Sequence, residues 1–139
     1  MKRQTIMKKL TKRIAAMGAA VMMMSTMVIS AGAYTVSDSY NELYYSGNET
    51  TQNYYVTYSR GTNKTASSRF LIVTSILYSN SGALASNTSD GITVSKGTRS
   101  CYANAGSSNV YRSFHRSMIK KSTSYSDSNA STLTRYIYY

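Results

Sequence analysis

The chain has 139 residues, a formal net charge of +11, one cysteine, one histidine and no proline. This is the length of a single domain, and a lone cysteine excludes an intramolecular disulfide, so packing and backbone hydrogen bonds must stabilise the fold. Metal centres need clustered His, Cys, Asp and Glu side chains, whereas this chain has one Cys, one His and five scattered acids. The sequence also lacks a glycine-rich phosphate loop. We therefore predict neither a metal site nor a cofactor.

The first 33 residues have the three parts of a secretory signal peptide. A head with six basic residues and no acid precedes an apolar stretch over residues 14–29, and the small residues Ala31, Gly32 and Ala33 follow. A retained membrane anchor is the alternative, but about 16 apolar residues are fewer than the ~20 that a spanning helix needs. We predict a signal-peptide helix over residues 1–33, cleaved after about Ala33, and a secreted domain over residues 34–139.

Cleavage would change the charge of the protein. Six of the 16 Lys and Arg residues lie in the signal, which leaves ten against the five acids of the chain and a net charge of +5. That excess is modest and no nucleic-acid-binding motif accompanies it, so we predict no specific nucleic-acid partner. We also expect no transmembrane segment in residues 34–139, and an extracellular location for the mature protein.

The sequence after Ala33 is rich in Ser, Thr, Asn and Tyr, and clusters of Gly, Asn, Asp and Ser interrupt it at short intervals. Such clusters suit turns, and the segments between them favour strands. The predicted strands are residues 54–59, 69–78, 92–95, 99–104, 110–119 and 132–138, with a weaker one within 34–45. This spacing indicates an all-β fold, a small antiparallel β-sandwich of about 6–8 short strands.

The strongest strand signal is residues 69–78. Extended backbone there would put apolar side chains on both faces, with Phe70, Ile72, Ile76 and Tyr78 on one and Leu71, Val73 and Leu77 on the other. A run of this kind is typical of a central strand that is covered on both faces. Further along, Asp90-Gly91 is a typical hairpin turn pair, so we predict a turn there, followed by the strand at 92–95.

Residues 110–121 allow two structures. A helix would align Val110, Phe114 and Met118. A strand would have one face with Arg112, Phe114, Arg116 and Met118, and another with Tyr111, Ser113, His115, Ser117 and Ile119. The β-branched, aromatic and Ser content favours the strand.

Cys101 and His115 are the one candidate pair for nucleophilic catalysis, because a thiol needs an imidazole within hydrogen-bond reach. A hairpin around residues 106–109 would bring their strands together. If Gly106 paired with Val110, Cys101 would lie opposite His115, but a slip of one residue would turn them to opposite faces. The simpler interpretation is a small buried cysteine beside an exposed histidine, so we expect no enzyme activity.

The most informative cluster combines cations with aromatic rings near the predicted hairpin, which would bring Arg99 close to Arg116. The candidate binding residues are Arg99, Tyr102, Tyr111, Arg112, Phe114, His115, Arg116, Lys120 and Lys121, with Tyr125 nearby. Cations beside rings attract polyanions and provide flat surfaces for stacking. An ordinary solvated sheet face is the alternative interpretation.

Three functions are compatible with these features. The favoured one is a secreted, non-catalytic binding or structural module that acts at the cell envelope or a host surface through a basic, Tyr-rich face. Its expected partners are anionic cell-envelope polymers, a membrane surface or carbohydrate. The alternatives are a secreted antagonist, such as a bacteriocin-like polypeptide, and a small extracellular hydrolase using Cys101 and His115.

Overall fold

The computed structural model describes residues 33–51, 54–106 and 109–139, which form eight antiparallel strands in two four-stranded sheets. The strands are β1 (Ala33–Ser37), β2 (Asn41–Thr51), β3 (Tyr54–Asn63), β4 (Arg69–Ser79), β5 (Gly82–Thr93), β6 (Thr98–Gly106), β7 (Arg112–Lys120) and β8 (Asn129–Tyr138). The predicted all-β sandwich is confirmed. The described ranges hold no helix long and apolar enough to cross a membrane. The predicted signal peptide falls on residues outside these ranges, apart from Ala33, and stays a prediction.

The chain passes from one sheet to the other three times, so neighbouring strands within a sheet are not always consecutive in the sequence. Sheet A has the order β1-β2-β3-β6, and sheet B has the order β5-β4-β7-β8. The connections β3–β4, β5–β6 and β6–β7 each join one sheet to the other. As predicted, β4 is a central strand, since it pairs with β5 on one side and β7 on the other.

The alternation of side chains along β7 defines the inner and outer faces of sheet B. Ser113, His115, Ser117 and Ile119 are buried between the sheets, and the residues that alternate with them are half-buried on the outer face. Successive side chains of a strand point to opposite faces, so this two-residue period requires extended backbone. The strand interpretation of this segment is therefore correct.

The core has two apolar clusters separated by a polar layer. One cluster is built on Leu71, Val73, Cys101 and Ile119, and the other on Tyr55, Leu77 and Val110. Buried hydroxyl groups and one imidazole lie between them, on Thr57, Ser59, Ser75, Ser113 and His115. Gly61 allows the sheets to approach closely, because a Cβ atom there would collide with the Ser117 and Val73 side chains.

Two local predictions are wrong. Asp90 and Gly91 do not form a turn; they lie inside β5, paired with Ile72 and Leu71, and the β4–β5 turn is at residues 80–81. The predicted hairpin of β6 with β7 is also absent from the described residues, since these strands belong to different sheets.

The weaker strand predicted within residues 34–45 is present as β1, and β2 begins in the same segment. The Asp38 carboxylate accepts the backbone N–H groups of Tyr40 and Asn41 and closes the turn between the two strands.

Candidate functional site

The outer face of β7 carries four of the predicted binding residues in one line. The side chains of Arg112, Phe114, Arg116 and Lys120 alternate with the buried ones along the strand and point away from the core. At about 3.3 Å per residue, the three cations stand at intervals of about 13 Å along the strand. These four residues, with Tyr78, Tyr136 and Tyr138 beside them, are called the basic face below.

Neighbouring strands supply the rings around Arg112. Tyr78 of β4 and Tyr138 of β8 stand opposite Arg112 in register, so all three side chains share the outer face. The guanidinium carbon lies 5.0 Å from the centroid of the Tyr78 ring and 4.8 Å from that of Tyr136. These distances are within the reach of cation–π attraction. Arg112 is therefore held among rings, with its charge near the surface.

The other two cations are positioned in different ways. Arg116 donates from Nη2 to Thr74 Oγ1 at 3.1 Å, and its buried Nε has no hydrogen-bond partner. The ammonium of Lys120 lies 5.5 Å from the centroid of the Tyr125 ring, which packs edge-on against Phe70. Tyr125 lies in the β7–β8 loop and is 63% exposed. The end of the basic face near Lys120 is thus bordered by an accessible ring.

The charge of this face is positive. In the described part of sheet B, Asp90 of β5 is the only acidic residue on the outer face, where it stands opposite Ile72 of β4. The cationic groups contact rings and a hydroxyl in place of a carboxylate. A surface of this kind concentrates anions near it, and the effect weakens as salt is added.

Two of the predicted binding residues, Arg99 and Tyr102, lie on sheet A. Arg99 donates from Nη2 to the Ile92 carbonyl at 2.8 Å, which ties β6 to β5. Tyr102 stands opposite Tyr58 in register and is 38% exposed. The predicted proximity of Arg99 to Arg116 is wrong because β6 and β7 belong to different sheets.

Tyr111 and Lys121 flank β7 at its two ends. The Tyr111 ring is 44% exposed and meets the Tyr138 ring edge-on, with the centroids 5.8 Å apart. Lys121 is exposed and lines a cavity of about 290 Å³ together with Tyr40, Arg69 and Ala130. Tyr111 and Lys121 therefore lie just beyond the two ends of the line of cations.

His115, also among the predicted binding residues, is fully buried between the sheets, so its expected exposure is wrong. Nδ1 lies 3.1 Å from the Tyr58 carbonyl oxygen, and Nε2 lies 2.8 Å from Ser113 Oγ. A carbonyl can only accept, so the bonding favours a neutral imidazole with its proton on Nδ1. Burial lowers the pKa of His115 to about 3, although the bond to the Tyr58 carbonyl opposes this shift.

Cys101 and His115 do not form a nucleophile–base pair. Cys101 stands opposite Ser59 in the sheet, and its thiol donates to the Val73 carbonyl oxygen at 3.3 Å. Two hydroxyl groups separate it from the imidazole: Sγ is 3.6 Å from Ser75 Oγ, which donates to Ser59 Oγ at 2.8 Å, and that oxygen is 3.0 Å from His115 Nδ1. The arrangement is a hydrogen-bonded chain within the core.

We expect the Cys101 thiol to react slowly in the folded protein. Its side chain is 4% exposed, and burial raises its pKa above the usual value despite the hydrogen bond to Ser75. Alkylation requires the thiolate, so both effects oppose it. Iodoacetamide labelling followed by mass spectrometry should show little modification of the native protein and complete modification in denaturant. Rapid labelling under native conditions would contradict the buried position of Cys101.

Metal-binding chemistry finds no support in the part of the chain that the structure describes. No three His, Cys, Asp or Glu side chains within it come together in a way that could hold an ion. The tyrosines of the basic face, Tyr78, Tyr136 and Tyr138, are not among the binding residues predicted from the sequence. The sequence places these tyrosines within predicted strands, but it does not show that β4 and β8 pair with β7.

Comparison with known proteins yields no family. No protein-family model and no curated protein matches the chain. Among solved structures, it is similar to a β-glucuronidase from glycoside hydrolase family 2, with 12% identity, 76% of this chain and 11% of that chain covered, and a TM-score of 0.40. A candidate β-galactosidase from Bacteroides fragilis matches with 6% identity, 78% and 16% coverage and a TM-score of 0.41. The chain spans only a small part of both structures, and similarity at this level carries no argument about its function.

Proposed function

We propose that the protein is a secreted, non-catalytic binding module that uses its basic face to bind an anionic polymer at a cell envelope or a host surface. The observation that carries this proposal is the line of Arg112, Arg116 and Lys120 on one strand, with aromatic rings between and beside the cations. The expected partners share repeated negative charge, as in wall polymers, acidic carbohydrates and anionic membrane surfaces.

The geometry favours an extended ligand over a compact one. Arg112 and Lys120 are eight residues apart in β7, which corresponds to about 26 Å of extended strand. A polymer lying along β7 could place several anionic groups near these cations, and its apolar surfaces could stack on Phe114 and Tyr136, whose ring centroids are 5.2 Å apart. A single small anion would meet only one of the three charges.

The buried positions of Cys101 and His115 support a non-catalytic role. General-base catalysis by histidine requires contact with the substrate and a pKa near the working pH. His115 has no exposed surface, and its pKa is lowered to about 3. The hydrolase hypothesis thereby loses the two residues on which it depends.

Co-sedimentation with bacterial envelopes tests the proposal. We expect the purified protein to pellet with envelopes at low salt and to stay in solution at about 1 M salt, where attraction between exposed charges extends over only about 3 Å. Replacing Arg112, Arg116 and Lys120 with Ser should weaken pelleting at low salt by about tenfold, because each exposed charge contact contributes about 0.2–1 kcal/mol.

A control with the same loss of charge distinguishes a specific face from net charge alone. Lys64, Lys96 and Arg135 are exposed cations away from the outer face of sheet B. Their replacement with Ser, Asn and Ser should leave most of the pelleting intact; Asn suits position 96 because Lys96 has a φ of 57°. Equal losses in both triple variants, or no pelleting of the parent protein, would rule out the basic face as the binding surface.

A further inference from the structure

A cavity of about 530 Å³ opens at one end of the sandwich. The β4–β5 turn and the start of β5 form one wall with Asn80, Ser81 and Leu84, and the segment before β7 forms the other with Val110 and Tyr111. Its volume falls in the range of about 300–1,000 Å³ that is usual for small-molecule sites. The cavity is separate from the line of cations on β7, although the Tyr111 ring touches that of Tyr138.

The chemistry of the walls suits a neutral ligand with hydroxyl groups. None of the described residues that line the cavity carries a charge, so none of them would compensate a phosphate or a carboxylate. Amide and hydroxyl side chains, as on Asn80 and Ser81, can both donate and accept hydrogen bonds. Tyr111 and Leu84 are 44% and 40% exposed and offer apolar surface beside these groups.

The walls are held in place before any ligand arrives. The Tyr111 backbone N–H donates to the Tyr78 carbonyl at 2.8 Å, and its carbonyl accepts from the Tyr139 N–H at 2.9 Å. On the other wall, the Ser81 N–H donates to Ser79 Oγ at 3.1 Å, which closes the turn. A preformed site loses less conformational entropy on binding, so even a small ligand can be retained.

We propose that this cavity binds a neutral sugar unit. A pyranose ring has an apolar C–H face and a rim of hydroxyl groups, which together match an exposed ring beside amides and hydroxyls. The C–H face would lie against Tyr111, and the hydroxyl groups would bond to Asn80 and Ser81. This inference does not depend on an anionic ligand at the basic face.

Titration of the ¹⁵N-labelled protein with neutral trisaccharides tests the site by NMR. The probes are cellotriose, maltotriose and N,N′,N″-triacetylchitotriose at millimolar concentration, in high salt to suppress binding through charge. We expect saturable shift changes in the amides of Asn80, Leu84 and Tyr111 with at least one of them. Asn80→Ala should weaken binding several-fold, and Tyr111→Ala should weaken it by about tenfold, which corresponds to the loss of one stacking contact.

Tyr40→Ala is the matched control, because Tyr40 is also 44% exposed and lines the separate cavity beside Lys121. It should bind sugar as the parent does, and so should the triple variant of the basic face. Retained sugar binding in that triple variant would separate this site from the polyanion site. No saturable shifts with any of the three sugars, shifts confined to the basic face, or unchanged affinity in both Tyr111→Ala and Asn80→Ala would overturn the proposal.

Discussion

Acidification from about pH 6.5 to about pH 4.5 is expected to destabilise the folded protein by up to about 1.4 kcal/mol per pH unit. The cause is His115, which has an ordinary pKa of 6.5 and a pKa of about 3 in the fold. Between these values the unfolded state binds one more proton than the folded state. The contribution of neutral His115 to stability is therefore fully present above pH 6.5 and is lost progressively as the pH falls toward 3.

The polar layer explains why the fold disfavours the charged imidazole. His115 lies in full burial beside the ring of Tyr45, with centroids 5.0 Å apart, and its hydrogen-bond partners are neutral hydroxyls and a carbonyl. None of its hydrogen-bond partners among the described residues is a carboxylate, so none of them would stabilise a positively charged imidazole. Desolvation raises the pKa of Asp38, but hydrogen bonds from Ser131 and from the Tyr40 and Asn41 backbone lower it overall, so the contribution of Asp38 is lost only below about pH 4.

Urea unfolding at a series of pH values measures this effect. The His115→Gln variant should show a flatter dependence of the unfolding free energy on pH between 4.5 and 6.5 than the parent, whatever its absolute stability. Ser113→Ala is the matched control, because it removes a hydrogen bond but retains the imidazole, so its slope should match the parent. A parent protein whose stability is constant over this window would show that His115 is not a buried neutral group.

Leu77→Ala is expected to lower the unfolding free energy by about 2–5 kcal/mol. Leu77 has no exposed surface and packs with Tyr55 and Val110 in one of the two apolar clusters. The polar layer separates this cluster from the other, so neighbouring apolar side chains cannot easily move into the space left by the truncation. A domain of this size has only about 5–15 kcal/mol of net stability, so the loss would be a large share of it.

Leu84→Ala provides the same chemical change on the surface. Leu84 is 40% exposed on β5, so its truncation should change the unfolding free energy by less than about 1 kcal/mol. Thermal and urea unfolding of both variants, monitored by circular dichroism, would give the comparison. Similar small losses for the two leucines would mean that the cluster around Leu77 is not a packed core.

The cations of the basic face keep fixed positions only while the sandwich is folded. Arg112, Phe114 and Arg116 alternate along β7 with the buried residues of the polar layer, so the same strand that anchors the core also presents the cations. Their positions relative to the rings of β4 and β8 are set by strand register, which hydrogen bonds hold along the whole ladder. Side chains on regular strands are placed more firmly than those on loops.

The division of β7 into two faces could be predicted from the sequence alone, although not which face is buried. Arg, Phe, Met and Lys residues alternate along β7 with Ser, His and Ile residues. This two-residue period is that of a strand and depends only on local backbone geometry. The apolar stretch of β4 likewise indicated a central strand. Both predictions held because neither depends on which distant segment pairs with which.

The sequence by itself determined the all-β class, the central position of β4 and the grouping of Arg112, Phe114, Arg116 and Lys120 on one side of β7. Only the tertiary structure decided that β6 and β7 lie in different sheets, which moved Arg99 and Tyr102 off the basic face and placed Tyr136 and Tyr138 on it. It also decided that His115 is buried. The physical reason is that pairing between strands is a non-local choice, made by the packing of two sheets around a shared core, and short-range patterns carry little information about it.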